Sequence, residues 1–283
     1  MAKLTIPDLK NKKSRREKIT MLTAYDYPTA KLLEAAEIDL ILVGDSVGNV
    51  ILGYESTVPV TMEEMLHHAK AVRKGAPNTF IVGDMPFLSY QVSSQEAIKN
   101  AGRFVKEAGC DAVKVEGGRE IIDKISAIIN AGIPVMGHLG LTPQTATMLG
   151  GFKVQGKSIE SAKKIYQDSL LLQQVGCFAL VLECVPTQLA KLITTELSIP
   201  VIGIGAGKDC DGQVLVFHDL IGIIEGFRPK FVKQYLNLHS EIKNALHKFK
   251  EEVEKEIFPA PEHSFNIKAE IFSEFVNEIK QRK

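Results

Sequence analysis

The stretch Leu40-Ile41-Leu42-Val43-Gly44-Asp45-Ser46 begins with a short apolar run and ends in polar residues. The run is apolar at every position rather than at alternate positions. This pattern is typical of a strand buried on both faces, as the strands of a parallel sheet covered by helices are. The stretch therefore predicts one strand of a parallel α/β sheet, with the polar residues at its carboxyl end.

Runs of the same kind recur between segments with helical periodicity. Thr61 and Ser93 each stand three residues before a glutamate, which is the pattern of a capping box at a helix start. Gly75, Gly109 and Gly176 follow apolar helical positions and suit helix ends. The predicted strands cover residues 19–23, 40–43, 80–82, 112–115, 134–136, 178–182, 201–204 and 213–217.

About eight strand–helix units in about 225 residues match a single (β/α)8 TIM barrel. A doubly wound sheet is the alternative, but that fold predicts a glycine-rich turn after its first strand. Here the first strand leads into Thr23-Ala24-Tyr25-Asp26, without glycine. We therefore expect one α/β barrel domain over residues 1–283, with an N-terminal extension over 1–18 and appended C-terminal helices from about 228 to 283.

The charge balance limits the classes of partner. Lys plus Arg and Asp plus Glu both number 34, so the formal net charge is zero, which argues against a protein that binds nucleic acid through bulk positive charge. Six basic residues lie between Lys10 and Lys18. We predict that they form a solvated helix face, with an anionic partner as the alternative.

The cysteines and the apolar segments indicate the compartment. The four cysteines stand singly, without the CxxC spacing of a zinc site, which favours buried thiols in a reducing cytosol. No apolar run approaches the ~20 residues that span a bilayer. The sequence therefore predicts a cytoplasmic protein without a nucleic-acid or membrane partner.

Polar residues lie at the carboxyl ends of several predicted strands. Because the carboxyl ends of barrel strands meet at one face, where barrel active sites lie, these side chains should converge. Only 34 of the 283 residues are acidic, so four carboxylates at strand ends exceed chance placement, although any one of them could be a helix cap. The residues concerned are Asp45, Asp84, Glu116, His138 and Glu183.

The residue types suggest metal chemistry. Asp45, Asp84 and Glu116 supply the hard oxygen ligands that Mg²⁺ prefers, and the lack of a His/Cys cluster disfavours zinc. Lys114 stands two residues before Glu116, so both side chains point to one face of an ideal strand. Lys114 can neutralise these carboxylates or a substrate carboxylate; a structural ion pair is the alternative.

Three further features have more than one interpretation. Glu183 lies in an apolar stretch that suits a general base, but a capping role is open. For His138 a direct role, a supporting hydrogen bond and a place in the core are all open. The run Gly203-Ile204-Gly205-Ala206-Gly207 suits a phosphate site of a barrel or close packing of substrate against bare backbone.

Several longer motifs, in order along the chain, resemble the ketopantoate hydroxymethyltransferase family. The resemblance covers nearly the whole chain, from about residue 5 to about residue 264. The motifs are Met21-Leu22-Thr23-Ala24-Tyr25-Asp26, Val43-Gly44-Asp45-Ser46-Val47-Gly48-Asn49, Gly53-Tyr54, Gly83-Asp84-Met85-Pro86-Phe87, Val113-Lys114-Val115-Glu116-Gly117, Gly137-His138-Leu139-Gly140-Leu141-Thr142-Pro143-Gln144 and Ile202-Gly203-Ile204-Gly205-Ala206-Gly207.

The resemblance implies a TIM barrel of the phosphoenolpyruvate/pyruvate superfamily type with one Mg²⁺ per subunit. It implies transfer of a hydroxymethyl group from methylenetetrahydrofolate to 3-methyl-2-oxobutanoate through a magnesium-stabilised enolate. The product is 2-dehydropantoate, and the reaction is the first committed step of pantothenate synthesis. Family members form large homo-oligomers, often homodecamers, so the resemblance implies subunit contacts for the C-terminal helices.

The resemblance also implies roles for single residues. Asp45, Asp84 and Glu116 surround the metal, with Asp45 and Asp84 touching it. Ser46 and Lys114 join the two aspartates in holding the oxo acid, and Glu183 is the proton acceptor. His138 is expected next to these groups, in a supporting position.

Other functions remain as alternatives. They are an enolate-forming, metal-dependent lyase of the same superfamily, a phosphate-binding isomerase barrel, and an assembly subunit without activity. The long segments 47–60 and 139–157 follow strands that carry site residues, and loops of this length are usually functional. We expect segment 139–157 to help enclose substrate or folate.

Overall fold

Eight parallel strands close into a barrel in chain order, and the last strand pairs with the first through Ile19 and Gly212. The strands belong to a computed structural model that describes residues 3–226 and 228–282. They are β1 (Ile19–Thr23), β2 (Leu40–Val43), β3 (Phe80–Asp84), β4 (Ala112–Glu116), β5 (Val135–Gly140), β6 (Ala179–Glu183), β7 (Val201–Ile204) and β8 (Gly212–Leu215). The predicted barrel is confirmed, and the doubly wound sheet is excluded.

Several strands extend further than predicted, so that the strands themselves carry acidic residues of the predicted site. Asp84 pairs with Lys114 and Glu116 pairs with His138 in the strand ladders. Glu183 is the last residue of β6 and pairs with Ile204. Acids whose backbone is fixed by two neighbouring strands hold a more precise position than acids on a loop.

Within the described residues, one helix precedes β1, helices connect every pair of successive strands except β7 and β8, and three helices follow β8. Short 3₁₀ turns lie at Arg119–Ile121, Pro143–Thr145 and Pro261–His263. The helices are α1 (Ile6–Ser14), α2 (Tyr27–Ala35), α3 (Val47–Val50), α4 (Met62–Gly75), α5 (Ser94–Ala108), α6 (Ile122–Asn130), α7 (Ile159–Val175), α8 (Thr187–Glu196), α9 (Phe217–Ile221), α10 (Leu238–Glu254) and α11 (Ala269–Gln281).

The predicted helix signals act as expected with two exceptions. Thr61 forms a full capping box with Glu64, whereas Ser93 accepts from the Glu96 amide without the reciprocal bond. Gly109 ends α5 in the left-handed conformation at φ +70°. Gly75 is the last residue of α4 rather than the residue after the helix. The position requires glycine because a Cβ there would stand 2.3 Å from the Tyr27 carbonyl oxygen of α2.

The prediction of a solvated basic face holds for Lys10, Arg15, Arg16 and Lys18, which are exposed, but not for Lys12 and Lys13 of helix α1, which are half-buried. Leu9 is buried in the barrel core beside residues of β1 and β2. Lys12 pairs with Asp39 at 2.5 Å, and Lys13 pairs with Asp211 at 2.6 Å, immediately before β2 and β8. The helix therefore docks at the amino-terminal end of the barrel, where its lysines meet carboxylates of the same chain.

The chain divides into two compact units, one reaching Tyr235 and one beginning at Leu236. The second unit contains α10 and α11, the helices predicted as an appendage; the prediction of a single domain over the whole chain stays a prediction. Neither helix has a buried residue, and both expose large apolar side chains such as Leu246 and Phe275. Within the described residues, no helix is long and apolar enough to cross a membrane.

Candidate active site

Lys114 lies at the centre of a buried cluster at the carboxyl ends of β2, β3 and β4. Its Nζ donates to both carboxylate oxygens of Asp84, at 2.7 and 2.8 Å. The same Nζ lies 3.6 Å from Glu116 Oε1. All three side chains are at most 5% exposed, so water screens these charges little. The structure thus places Lys114 and Glu116 on one face, as the two-residue spacing predicted.

Asp45 completes the cluster from the end of β2. Its backbone N–H donates to Asp84 Oδ2 at 3.2 Å, and its own Oδ2 accepts from Gln144 Nε2 at 2.9 Å. Asp45 is itself buried. The structure therefore brings together the three acids that the sequence predicted as a group, with one lysine among them.

Burial and the charges of neighbouring groups together shift the pKa values in this cluster, and burial is the larger influence. Burial, and then the Asp84 and Glu116 charges, raise the pKa of Asp45 well above its usual range. Burial also raises the pKa of Asp84, although Lys114 opposes the effect. For Glu116 burial is outweighed by Lys114 and His138, and its pKa is lowered. Burial lowers the pKa of Lys114, but the three acids outweigh it, so that pKa is raised and the lysine stays cationic.

His138 lies between the acid cluster and Glu183. Its Nδ1 is 3.2 Å from Glu116 Oε1, and its Nε2 is 3.3 Å from Glu183 Oε2. These are ion-pair contacts without hydrogen-bond geometry, since neither ring nitrogen has a hydrogen-bond partner within the described residues. Burial and Lys114 lower the pKa of His138, but the two glutamates outweigh them and raise it to about 9. The ring is therefore a cation at neutral pH, placed between two carboxylates.

Glu183 stands at the mouth of the cluster rather than inside it. Its side chain is 16% exposed, against 1% for Glu116, so its setting is less apolar than its sequence neighbours suggested. Cys184, the next residue, has φ +49°, a conformation that non-glycine residues rarely adopt. The backbone is therefore strained directly after Glu183, and strained backbone conformations are common at functional sites.

Ser46 lies beside Asp45 and contacts a residue from the end of β1. The Tyr25 hydroxyl and Ser46 Oγ are 2.8 Å apart, and the Tyr25 side chain is buried. Burial raises the pKa of Tyr25, so its hydroxyl stays protonated and can donate or accept. Tyr25 is a site residue for which the sequence analysis proposed no role.

Gln144 and Tyr90 were also missed. Gln144, on the 3₁₀ turn after β5, bonds to Asp45 and, through its backbone N–H, to Glu116. The Tyr90 hydroxyl is 2.9 Å from Gln144 Oε1. Neither residue is charged or lies at a predicted strand end. The signal that could have found them is a carboxamide on a long loop directly after a site strand.

The glycine run after β7 is explained by packing. A Cβ at Gly207 would lie 1.9 Å from the Thr187 side chain, and one at Gly203 would lie 2.9 Å from Cys210 Sγ. Gly205 has φ +64°, which favours glycine. These contacts are with side chains of the chain itself, so the phosphate site and the close packing of substrate both stay predictions.

The cluster supplies oxygen donors but not a closed cage for a metal. Within the described residues, no three His, Cys, Asp or Glu side chains form a group that could hold an ion by themselves. Lys114 lies between Asp84 and Glu116 instead. The predicted roles of Asp45, Asp84 and Glu116 as metal ligands, of Ser46 and Lys114 in substrate binding, and of Glu183 as base stay predictions.

Comparison with solved structures shows the fold. Phosphoenolpyruvate phosphomutase from Streptomyces platensis subsp. rosaceus superposes with a TM-score of 0.61 at 15% identity, covering 99% of this chain and 98% of that one. Phosphonopyruvate hydrolase, crystallised with oxalate and Mg²⁺, gives 0.60 at 11% identity over 99% and 98%. A further neighbour, 2,3-dimethylmalate lyase, is described as a member of the phosphoenolpyruvate mutase/isocitrate lyase superfamily.

Comparison of sequences is more specific. The 3-methyl-2-oxobutanoate hydroxymethyltransferase of Syntrophomonas wolfei is 57% identical over 271 residues, which are 96% of this chain and 98% of that protein. The enzyme of the same name from Moorella thermoacetica is 58% identical over 93% of this chain and 98% of its own length. A family model described as ketopantoate hydroxymethyltransferase matches residues 3–261. The chain therefore belongs to the ketopantoate hydroxymethyltransferase family.

Proposed function

We propose that this chain transfers a hydroxymethyl group from methylenetetrahydrofolate to 3-methyl-2-oxobutanoate, forming 2-dehydropantoate in the first committed step of pantothenate synthesis. One observation carries the proposal: a buried acid cluster lies at the carboxyl end of the barrel in a chain that is 57% identical to an enzyme named for this reaction. The roles of the residues below are part of the same proposal and are argued from their contacts.

The cluster fits Mg²⁺ in its donor chemistry. Three buried carboxylates surround one lysine in a place that water barely reaches. Burial first, and then the charges of Asp84 and Glu116, raise the pKa of Asp45, and a divalent cation would offset those charges. We assign Asp45 and Asp84 as direct ligands and Glu116 as their neighbour. Two protein ligands would leave positions for the substrate, and among the described residues no three His, Cys, Asp or Glu side chains form a group that could hold an ion. The phosphonopyruvate hydrolase crystallised with oxalate and Mg²⁺ has the same fold.

Ser46 and Lys114 are assigned to hold the oxo acid together with the two aspartates. Lys114 stays protonated and buried, so it can offset negative charge that develops on the substrate. Tyr25 fixes the Ser46 hydroxyl at 2.8 Å and so directs its second hydrogen bond towards the substrate. When bound, Mg²⁺ supplies Lewis acidity that polarises a keto group and makes the neighbouring C–H more acidic.

Glu183 is assigned as the general base. It is the acid of the site with access to the barrel mouth, and its Oε2 lies 3.3 Å from the His138 ring. Glu183 takes the proton from the branched carbon next to the keto group, and the resulting enolate carbon bonds to the one-carbon unit of the folate. This C–C bond replaces one of the two C–N bonds that hold the one-carbon unit, and water then replaces the other, which releases the hydroxymethyl product and tetrahydrofolate. His138 holds the base in place as a cation.

The test is product formation. The purified chain is mixed with Mg²⁺, 3-methyl-2-oxobutanoate and methylenetetrahydrofolate, and 2-dehydropantoate is measured by mass spectrometry. Product should require both the folate and Mg²⁺. Cleavage of a carbon–carbon bond in a 2-oxo or 2-hydroxy acid without folate would instead establish the lyase of the same fold.

Segment 139–157 is proposed as the cover of the bound substrates. Gln144 ties its start to the acid cluster, while Met148 and Phe152 further along are 87% and 69% exposed. Limited proteolysis tests this role: cleavage within 147–154 should slow when oxo acid and folate are both present. Equal cleavage with and without them would exclude a cover.

A homo-oligomer, specifically a homodecamer, and a cytoplasmic location complete the proposal. The exposed apolar side chains of α10 and α11 support subunit contacts, and the four free thiols suit a reducing compartment. Light scattering after gel filtration measures the subunit number. Leu246→Glu and Phe275→Glu should lower it if these helices carry the contacts.

A further inference from the structure

We propose that Gln144 is a positioning residue that determines which oxygen of the Asp45 carboxylate is free to bind a ligand. Gln144 lies on the 3₁₀ turn Pro143–Thr145 and its side chain is 4% exposed. The inference rests on the proposed function, because it concerns a carboxylate that we assign to Mg²⁺. The inference adds Gln144 to the proposed site as a residue that does not itself bind the metal.

The orientation of the Gln144 side chain follows from its acceptors. Its Nε2 lies 2.9 Å from Asp45 Oδ2 and 2.9 Å from the Met85 carbonyl oxygen. Both partners accept, and a carboxamide donates only from its nitrogen, so the amide cannot be turned over without losing both bonds. Asp45 Oδ2 is therefore occupied. Within the described residues, the hydrogen bonds leave Oδ1 without a partner and hence free for a ligand.

Gln144 holds a second acid in the same way. Its backbone N–H donates to Glu116 Oε2 at 3.0 Å. The other oxygen, Oε1, faces His138 at 3.2 Å and Lys114 at 3.6 Å. One residue thus ties one oxygen of each of two carboxylates that come from different strands, and leaves the other oxygen to the interior of the cluster.

Tyr90 locks the far side of the carboxamide. Its hydroxyl is 2.9 Å from Gln144 Oε1 and accepts from the Glu116 backbone N–H at 3.1 Å. Burying an amide and a phenol is unfavourable unless their hydrogen bonds are made, and a residue that only filled space here would be apolar. The network therefore orients the carboxylates as well as filling the core.

The test measures metal binding rather than turnover. Mn²⁺ alone is titrated into the full chain, and free Mn²⁺ is counted by electron paramagnetic resonance at a temperature where every variant is folded. Gln144→Met keeps the length and the backbone N–H but removes the donor to Asp45. It should weaken Mn²⁺ binding about 10–100-fold, the range found when partners of metal ligands are removed.

Gln155→Met is the matched control, because the same substitution falls on the same loop and removes only a bond to the Lys153 carbonyl oxygen. Its Kd for Mn²⁺ should equal that of the unaltered chain. An equal Kd for Gln144→Met would overturn the positioning role alone, whereas failure of the unaltered chain to bind Mn²⁺ would overturn the proposed function. If Gln144→Met does not fold, Gln144→Asn, one methylene too short to reach both acceptors, decides: an unchanged Kd overturns the proposal and a weaker one supports it.

Discussion

The two ends of the barrel use the same residue types in different ways. At the amino-terminal end each of three aspartates has its own cation, and each also accepts from the backbone N–H of a neighbouring strand. At the carboxyl-terminal end Asp84 and Glu116 share Lys114, Asp45 contacts Asp84 rather than the lysine, and His138 lies at one side. The amino-terminal pairs are Asp39 with Lys12, Asp111 with both Arg73 and Lys3, and Asp211 with Lys13.

This difference distinguishes structural charge from functional charge. At the amino-terminal end the aspartate side chains are 13–19% exposed and each is paired with at least one cation, so they need no ligand. At the other end the acids are more deeply buried and outnumber their cations, which raises the pKa of Asp45 and Asp84. An imbalance that is unfavourable for folding is what a cation-binding site requires.

The largest expected effect is on the proton transfer at the carboxyl-terminal end. Glu183→Gln keeps the shape of the side chain but cannot accept a proton, so deuterium exchange from solvent into 3-methyl-2-oxobutanoate should fall about 10²–10⁴-fold. Oxo-acid binding, measured by calorimetry, should change little. Asp39→Asn makes the same carboxyl-to-amide change at the other end and should leave the exchange rate unaltered. Exchange at the native rate in Glu183→Gln would show that another group is the base.

The second prediction compares one lysine from each end. Lys114→Met leaves Asp84 and Glu116 buried without their cation, and should lower the free energy of unfolding by about 3–5 kcal/mol and abolish turnover. Lys13→Met removes a partly exposed pair and should lower it by only about 1 kcal/mol, with normal turnover. Urea unfolding and kcat/KM provide the two measurements. Similar losses of stability in both variants would remove the distinction between the ends.

The fold and the acid cluster could largely be predicted from the sequence, because the signals that indicate strands and helices are local. Apolar runs, helix-capping residues and the alternation of strands with helices predicted the barrel. The barrel topology then predicted that Asp45, Asp84 and Glu116 lie together. The role of the α1 lysines could not be predicted, since a basic helix looks the same whether it meets solvent or carboxylates. Gln144 reaches the cluster through a long loop, and its uncharged amide gives no signal until the fold shows what it contacts.

The third prediction concerns pH in the metal-free chain. The pKa of His138 is raised from 6.5 to about 9, so its stabilising effect is complete below pH 6.5 and is lost as the pH rises through about 9. The free energy of unfolding at pH 6 should therefore be about 1–3 kcal/mol higher for the unaltered chain than for His138→Gln. This difference should disappear by pH 10.

His218 is the control of opposite sign. Burial lowers the pKa of His218, so the unaltered chain should lose stability relative to His218→Gln as the pH falls below 6.5. Urea unfolding of the three proteins from pH 5 to pH 10 measures both trends. A gap between the unaltered chain and His138→Gln that stays constant with pH would mean that His138 is neutral between its two glutamates.

The smallest effect is also the one most specific to the carboxyl-terminal end. The pKa of Asp45 is raised, so its charge disfavours folding above that pKa, and the penalty disappears below the unfolded value of 3.8. Without metal, Asp45→Asn should raise the free energy of unfolding at pH 7 by about 1 kcal/mol, or the melting temperature by about 2–4 °C. The gain should vanish as the pH falls towards 3.8.

With Mg²⁺ present, Asp45→Asn should be less stable than the unaltered chain, because only the unaltered chain gains stability by binding the ion. Asp211→Asn, which breaks a matched pair at the amino-terminal end, should be destabilising with and without Mg²⁺, since that aspartate holds Lys13 and the Val201 backbone N–H. Thermal unfolding of the three proteins with and without Mg²⁺ distinguishes the cases. If Asp45→Asn were also destabilising without metal, the acids at the carboxyl-terminal end would be as well balanced as those at the other, and the charge imbalance that we connect with metal binding would not exist.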